Sequence, residues 1–167
     1  MDREQYGLNS NSTSTIFTFT SNGTNGAVDK AIKYTPTINQ NVYNLAFGDI
    51  VTISDDGEVV QIDDTAISGD RDLVLTTVAS SIYEFTNDNP DKRVIFKGSN
   101  EARTRLYRRA ITINYDEISK DFYIFGVRKR DDGILVQEDF DPNTNWHAYL
   151  IERKEDENNK EESGAQE

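Results

Sequence analysis

Apolar and polar positions change period several times along this chain, and each change marks an element. From Thr15 to Ser21 apolar residues alternate with polar ones around Ile16, Phe17 and Phe19, as on a half-buried strand. Asn22-Gly23-Thr24-Asn25-Gly26 is a turn, and Ala27 to Tyr34 is the return strand of a hairpin that Pro36 ends. A third strand, Val42 to Phe47, is closed by Gly48-Asp49. Ile50 to Ile53 and Val59 to Ile62 flank Asp55-Asp56-Gly57 as a further hairpin. The period then lengthens. Val74, Val78, Ile82 and Phe85 follow at spacings of four, four and three, which predicts a helix capped by Ser68 or Asp70 and stopped by Asn87-Asp88-Asn89-Pro90.

The second half repeats this grammar. Val94, Ile95 and Phe96 form a short strand that ends at Gly98-Ser99-Asn100. A helix follows with Ala102, Leu106 and Ala110 as its buried stripe at intervals of four. Tyr115 to Lys120 adds a helical turn, and Phe122 to Val127 is apolar almost throughout, as a central strand is. Asp131-Asp132-Gly133 turns the chain into Ile134 to Glu138. Asp141-Pro142-Asn143 makes a loop before the last strand, Trp146 to Glu152. Strands grouped at both ends around two helices predict an α+β fold: a mostly antiparallel twisted sheet of about six or seven strands with both main helices on one face.

Length and composition add boundaries. At 167 residues one domain is expected, over residues 14–154, with residues 1–13 as a flexible N-terminal arm. From Glu155 onward EDENNKEESGAQE carries six acids, one base and no large apolar residue, so residues 155–167 are expected to be a disordered acidic tail. No cysteine, no signal-like start and no long apolar run point to a cytoplasmic protein without a membrane partner.

Charge changes the picture most. The net charge is -12, which disfavours general nucleic-acid binding. Yet Lys92 to Arg109 holds seven of the eighteen Lys and Arg against a single acid, Glu101, directly after a segment of eleven acids and one base between Thr37 and Asp91. A strand that runs into a Gly-Ser turn and a helix N-terminus presents backbone N–H groups to an anion. Gly98, Ser99, Asn100, Arg103, Arg105 and Tyr107 are therefore the candidate anion site, with Arg103 as a bidentate clamp. The competing reading pairs those arginines with the chain's own Asp49, Asp63 or Asp64 and finishes the core with Tyr107. An anionic partner would be an acidic protein surface, a nucleotide or RNA.

An enzymatic alternative is a metal-independent, ribonuclease-like activity on phosphodiesters using Arg103, Arg105, Tyr107, Asp64 and Glu101. With no cysteine and one histidine, His147, catalysis by Ser-His-Asp or Cys-His is close to excluded. His147 itself reads as structural or surface-lying. Asp63-Asp64 with Asp70 and Asp72 lack the spacing of a calcium loop and read as turns and caps, so neither a metal nor a cofactor is expected. Arg128-Lys129-Arg130 is a solvated turn that extends the basic patch if the sheet brings it near.

Six stretches together carry a family resemblance: YNLAFGD (43–49), IDD (62–64), the helix DLVLTTVASSIYEFT with Pro90, GSNEARTRLYR (98–108), EISKDFYIFG (117–126) and NWHAYLIERK (145–154). In these the chain resembles a bacterial domain of unknown function widespread in Bacteroidota. Ser99-Asn100 and His147 depart from that family's usual residues. The resemblance implies a small bacterial protein and assigns no activity, cofactor or partner.

Overall fold

The computed structural model describes residues 4–63 and 69–155. Nine strands and three helices are described, in the order β1 (Asn9–Ser10), β2 (Ile16–Gly23), β3 (Gly26–Pro36), β4 (Val42–Ile53), β5 (Val59–Asp63), α1 (Arg71–Asp88), β6 (Arg93–Phe96), α2 (Glu101–Ile113), α3 (Tyr115–Asp121), β7 (Phe122–Lys129), β8 (Leu135–Asp139) and β9 (Ala148–Arg153). They form one sheet, ordered β1-β2-β3-β4-β6-β9-β7-β8, with β5 also paired to β4. Every described pairing is antiparallel except β4 with β6. The fold is α+β as expected, with more strands than the six or seven anticipated.

Two local facts depart from the sequence reading. The stretch that looks like a loose arm contributes β1, and Tyr6 in it packs on Phe19 with ring centroids 5.7 Å apart. The Tyr6 hydroxyl donates to Asp70 at 2.6 Å, and its backbone N–H donates to Thr77 at 2.9 Å. The second fact is Gly48-Asp49, which does not turn the chain. β4 runs straight through it, pairing β3 along one edge and β6 and then β5 along the other. Gly48 is glycine because β5 comes close: a Cβ there would lie 2.3 Å from the Asp63 carbonyl oxygen. The Ser68 cap and Asp64 lie outside the described residues, as do residues 1–3 and 156–167 of the expected arm and tail. Asp70 occupies the N-cap position of α1 but turns its carboxylate to Tyr6 and Ser21 instead of the helix.

The main core joins Phe17, Ile32, Leu45, Phe47, Val94 and Ile151 of the sheet to Val74, Val78, Ile82 and Phe85 of α1 and to Tyr107 and Ile111 of α2. α1 is buried well beyond its predicted stripe, and its hydroxyls are satisfied locally. Thr77 and Thr86 donate to carbonyls one turn back, and Ser81 also meets the Tyr34 hydroxyl at 2.7 Å. Lys30, on the same strand face as Ile32 and Tyr34, is buried and ion-paired with Asp49. Ala148 and Leu150 alternate along β9 with Tyr149 and Ile151, so they build a smaller cluster with Val42 and Val127 on the opposite sheet face. Among the described residues no helix is long and apolar enough to cross a membrane.

α2 corrects the predicted stripe. Its buried positions are Arg103, Tyr107, Ala110 and Ile111, whereas Ala102 is exposed and Leu106 only half-buried. The helix is rotated so that an arginine, not Ala102, enters the core. Tyr107 meets Phe47 and Phe96 edge-on at centroid distances of 5.6 and 5.1 Å. Tyr107→Ala should therefore cost about 3–5 kcal/mol in a urea titration, as loss of a large buried aromatic does. Leu106→Ala should cost roughly 1 kcal/mol. Equal costs, or the reverse order, would mean that the helix face is wrong.

Candidate anion site

β6 ends at the edge of a cleft of about 670 Å³, lined on one side by Lys97, Gly98, Ser99 and Asn100 and by Glu101, Thr104, Arg105 and Arg108 of α2. Arg128 and Lys129 at the end of β7, Asn145, Trp146 and His147 of the loop between β8 and β9, and Tyr149 of β9 complete it. Because β9 is antiparallel to both β6 and β7, the ends of those two strands and the start of β9 meet at one end of the sheet.

The Gly-Ser turn is built by close approach. A Cβ on Gly98 would sit 2.2 Å from the Thr104 backbone nitrogen, so only glycine lets the turn fold onto the first turn of α2. The Gly98 N–H donates to the Thr104 hydroxyl at 3.1 Å, and that hydroxyl donates to the Asn100 carbonyl at 3.0 Å. Asn100 caps the helix, its side-chain oxygen accepting from the Arg103 N–H at 2.8 Å. Two of the donors that the sequence suggests for an anion, the Gly98 and Arg103 N–H groups, are therefore already engaged within the turn. Side chains supply the cleft's positive character.

The helical period then sorts the arginines. Arg103 and Tyr107 point into the core, away from the cleft. The Arg103 guanidinium donates to the Phe47 carbonyl and lies 4.0 Å from the Phe47 ring centroid. Arg105 and Arg108, on the flank shared with Glu101 and Thr104, face the cleft. Arg109 turns to α1 and holds Asp72 in a two-toothed contact at 2.9 and 3.1 Å, which keeps the Asp72 carboxyl below the usual range. So the structure gathers Gly98, Ser99, Asn100 and Arg105 of the predicted set and separates Arg103 and Tyr107 from them.

The opposite wall was signalled in the sequence only by Arg128-Lys129-Arg130. Trp146 lies flat across Gly126, where a Cβ would come within 2.4 Å of three of its ring atoms. Its indole N–H donates to the Asp141 carbonyl at 2.9 Å, and Arg128 sits 5.1 Å from the ring while pairing with Glu138 at 2.7 Å. Arg108 reaches across to the same loop, donating to the Thr144 carbonyl at 3.3 Å and to Asn145 at 3.1 Å. His147 hangs from β7 through its N–H to the Val127 carbonyl at 2.8 Å. Its side chain is partly buried, and that burial, with the charges of Lys97 and Lys129, pushes its pKa below 6.5. Burial pushes the Tyr149 phenol up to about 12, so it remains protonated at neutral pH.

The cleft thus carries five cations, Lys97, Arg105, Arg108, Arg128 and Lys129, against one acid, Glu101. Among the described residues Lys97, Arg105, Arg108 and Lys129 are in no ion pair, Arg108 donating to neutral acceptors only. Asp63 lies on β5, and Asp70 and Asp72 serve α1 and its neighbours rather than the cleft.

Fold and site together define an α+β protein on a mostly antiparallel nine-stranded sheet with a basic cleft at one end. The chain belongs to DUF6934, a family of unknown function, whose model matches residues 2–154. No curated protein and no solved structure matches it.

Gly98→Ala and Arg103→Ala should both destabilise the protein, for different reasons. The first forces the turn off α2; the second leaves the buried Phe47 carbonyl without its charged donor, at a cost of about 1.5–3 kcal/mol. Arg105→Ala, on the exposed flank, should stay within roughly 0.5 kcal/mol of the parent. Chemical denaturation of the three variants checks this order.

Proposed function

We propose that this protein is a small cytoplasmic binding or regulatory module that takes an anionic partner in the cleft between α2 and the end of β7. The observation that carries this reading is the convergence of five cations from separate segments on one concave site in a chain of net charge -12. A solvated surface of an acidic protein has no need of such a cluster, and four of its members are in no ion pair among the described residues. The anion contacts are assigned to Lys97, Arg105, Arg108, Arg128 and Lys129, with Ser99, Asn100 and His147 at the margin. Arg103 and Tyr107 act from behind, by holding α2 in place. The lack of cysteine fits a reducing compartment.

The ribonuclease-like alternative has less support. Of its five residues, Arg105 and Glu101 line the cleft, Arg103 and Tyr107 face the core, and Asp64 lies outside the described residues.

Millimolar phosphate or sulfate should raise the melting temperature of the wild type, because an anion bound only to the folded state stabilises it by mass action. Arg105→Glu/Lys129→Glu should abolish that shift. His147 gives a second readout, since the chain has one histidine and therefore one set of imidazole NMR signals. Its pKa should lie below 6.5 without ligand and rise on phosphate addition, because an anion offsets the Lys97 and Lys129 charges that depress it. A histidine pKa indifferent to phosphate, with an unchanged melting temperature, would end this reading.

A further inference from the structure

Resting on that reading of the cleft, we infer that the ligand is compact and carries two or more adjacent phosphoryl groups, as a diphosphate does, and is not a nucleic-acid polymer. Three features of the site lead there.

The cations are spread over two facing walls instead of focused at one point. Lys97, Arg105 and Arg108 stand on the α2 side and Arg128 and Lys129 on the β7 side, across a space of about 670 Å³. Pockets of a few hundred to about 1,000 Å³ suit a small ligand. One phosphoryl group engages one wall or the other, while a second lets both walls act at once. His147, which also lines the cleft, is within electrostatic reach of a lysine from each wall, Lys97 and Lys129.

The large aromatic side chains of the cleft, Trp146 and Tyr149, are committed elsewhere. Trp146 is 6% exposed with one face on Gly126, and Tyr149 is 1% exposed. Proteins that bind single-stranded nucleic acid stack successive bases on exposed aromatic side chains. Neither of these rings offers such a platform, so recognition here is of phosphate charge.

Carboxylates surround the basic interior. Glu101 is in the wall itself, Glu138 lies against Arg128, Asp132 pairs with Arg130 beside Lys129, and Asp141 heads the loop that brings in Asn145 to His147. At physiological salt a charge acts over a screening length of about 8 Å. A polymer longer than the cleft leaves the reach of the cations and lies against these carboxylates. A compact diphosphate stays inside.

Isothermal titration of the full chain with inorganic pyrophosphate, orthophosphate and a ten-residue RNA, all at about 0.15 M salt, tests the inference. Pyrophosphate should bind at least tenfold more tightly than orthophosphate and more tightly than the RNA. Lys97→Gln on one wall and Lys129→Gln on the other should each reduce pyrophosphate affinity and shrink its advantage over orthophosphate. Both change one lysine without altering a hydrogen bond that the fold uses. Equal affinity for pyrophosphate and orthophosphate would overturn the inference while leaving an anion site in place. Tighter binding of the RNA than of pyrophosphate would overturn it in favour of a polymer. Failure of all three to bind would remove the anion site itself.

Discussion

Arg103 brings a permanent charge to 4.0 Å from the Phe47 ring centroid, and the layout of α2 depends on that burial. A buried guanidinium is tolerated where its donors are met and its plane is covered. Here the Phe47 carbonyl takes one of its N–H groups and the ring of the same residue supplies the cover. With Arg103, Tyr107 and Ile111 turned inward, the other flanks of the helix follow from its period. Glu101, Thr104, Arg105 and Arg108 look onto the cleft, and Arg109 looks onto α1. One cation buried in the core thus decides which other cations meet the outside.

The facing wall has a comparable anchor made without charge. Gly126 leaves room for the Trp146 ring, whose N–H ties the loop back to Asp141. The loop carries Asn145 and His147 with it, and Arg108 reaches over from α2 to the same segment. One wall of the cleft therefore hangs on a side chain that lies outside it, Arg103, and the other on the fit of Trp146 to the bare backbone of Gly126. Changes at Arg103 or Gly126 would alter the cleft without touching a residue that meets an anion.

Most elements were legible because their apolar spacing is strong. α1, the hairpin of β2 and β3, and β7 fall close to where alternation and the four-residue period place them. The errors have physical causes. Gly48 looks like a turn because glycine in sequence does not show whether it bends a chain or admits a neighbouring backbone. Ala102 looks buried and Arg103 exposed because charge is counted as solvent-facing until its partners are known, and those partners are on β4, far away in sequence. Gly98, Ser99, Asn100 and Arg105 were named from the sequence and line one cleft, whereas Arg103 and Tyr107, named with them, do not. The wall made by Arg128, Lys129, Asn145 and His147 could not be placed against the first four, since nothing local says that β7 ends, and β9 begins, at the end of the sheet where β6 ends.

The position of β9 also bears on how the molecule is made. This last of the described strands pairs with β6 on one side and β7 on the other, in the interior of the sheet. A nascent chain that has not yet delivered residues 148–153 holds two part-sheets whose facing edges have nothing to join them. Unpaired edges of that kind invite wrong partners, and closing them needs contacts between segments distant in sequence, which slows folding. During synthesis this chain therefore stays vulnerable until β9 arrives. A chaperone that shields strand edges would have its longest task between the completion of β7 and the insertion of β9.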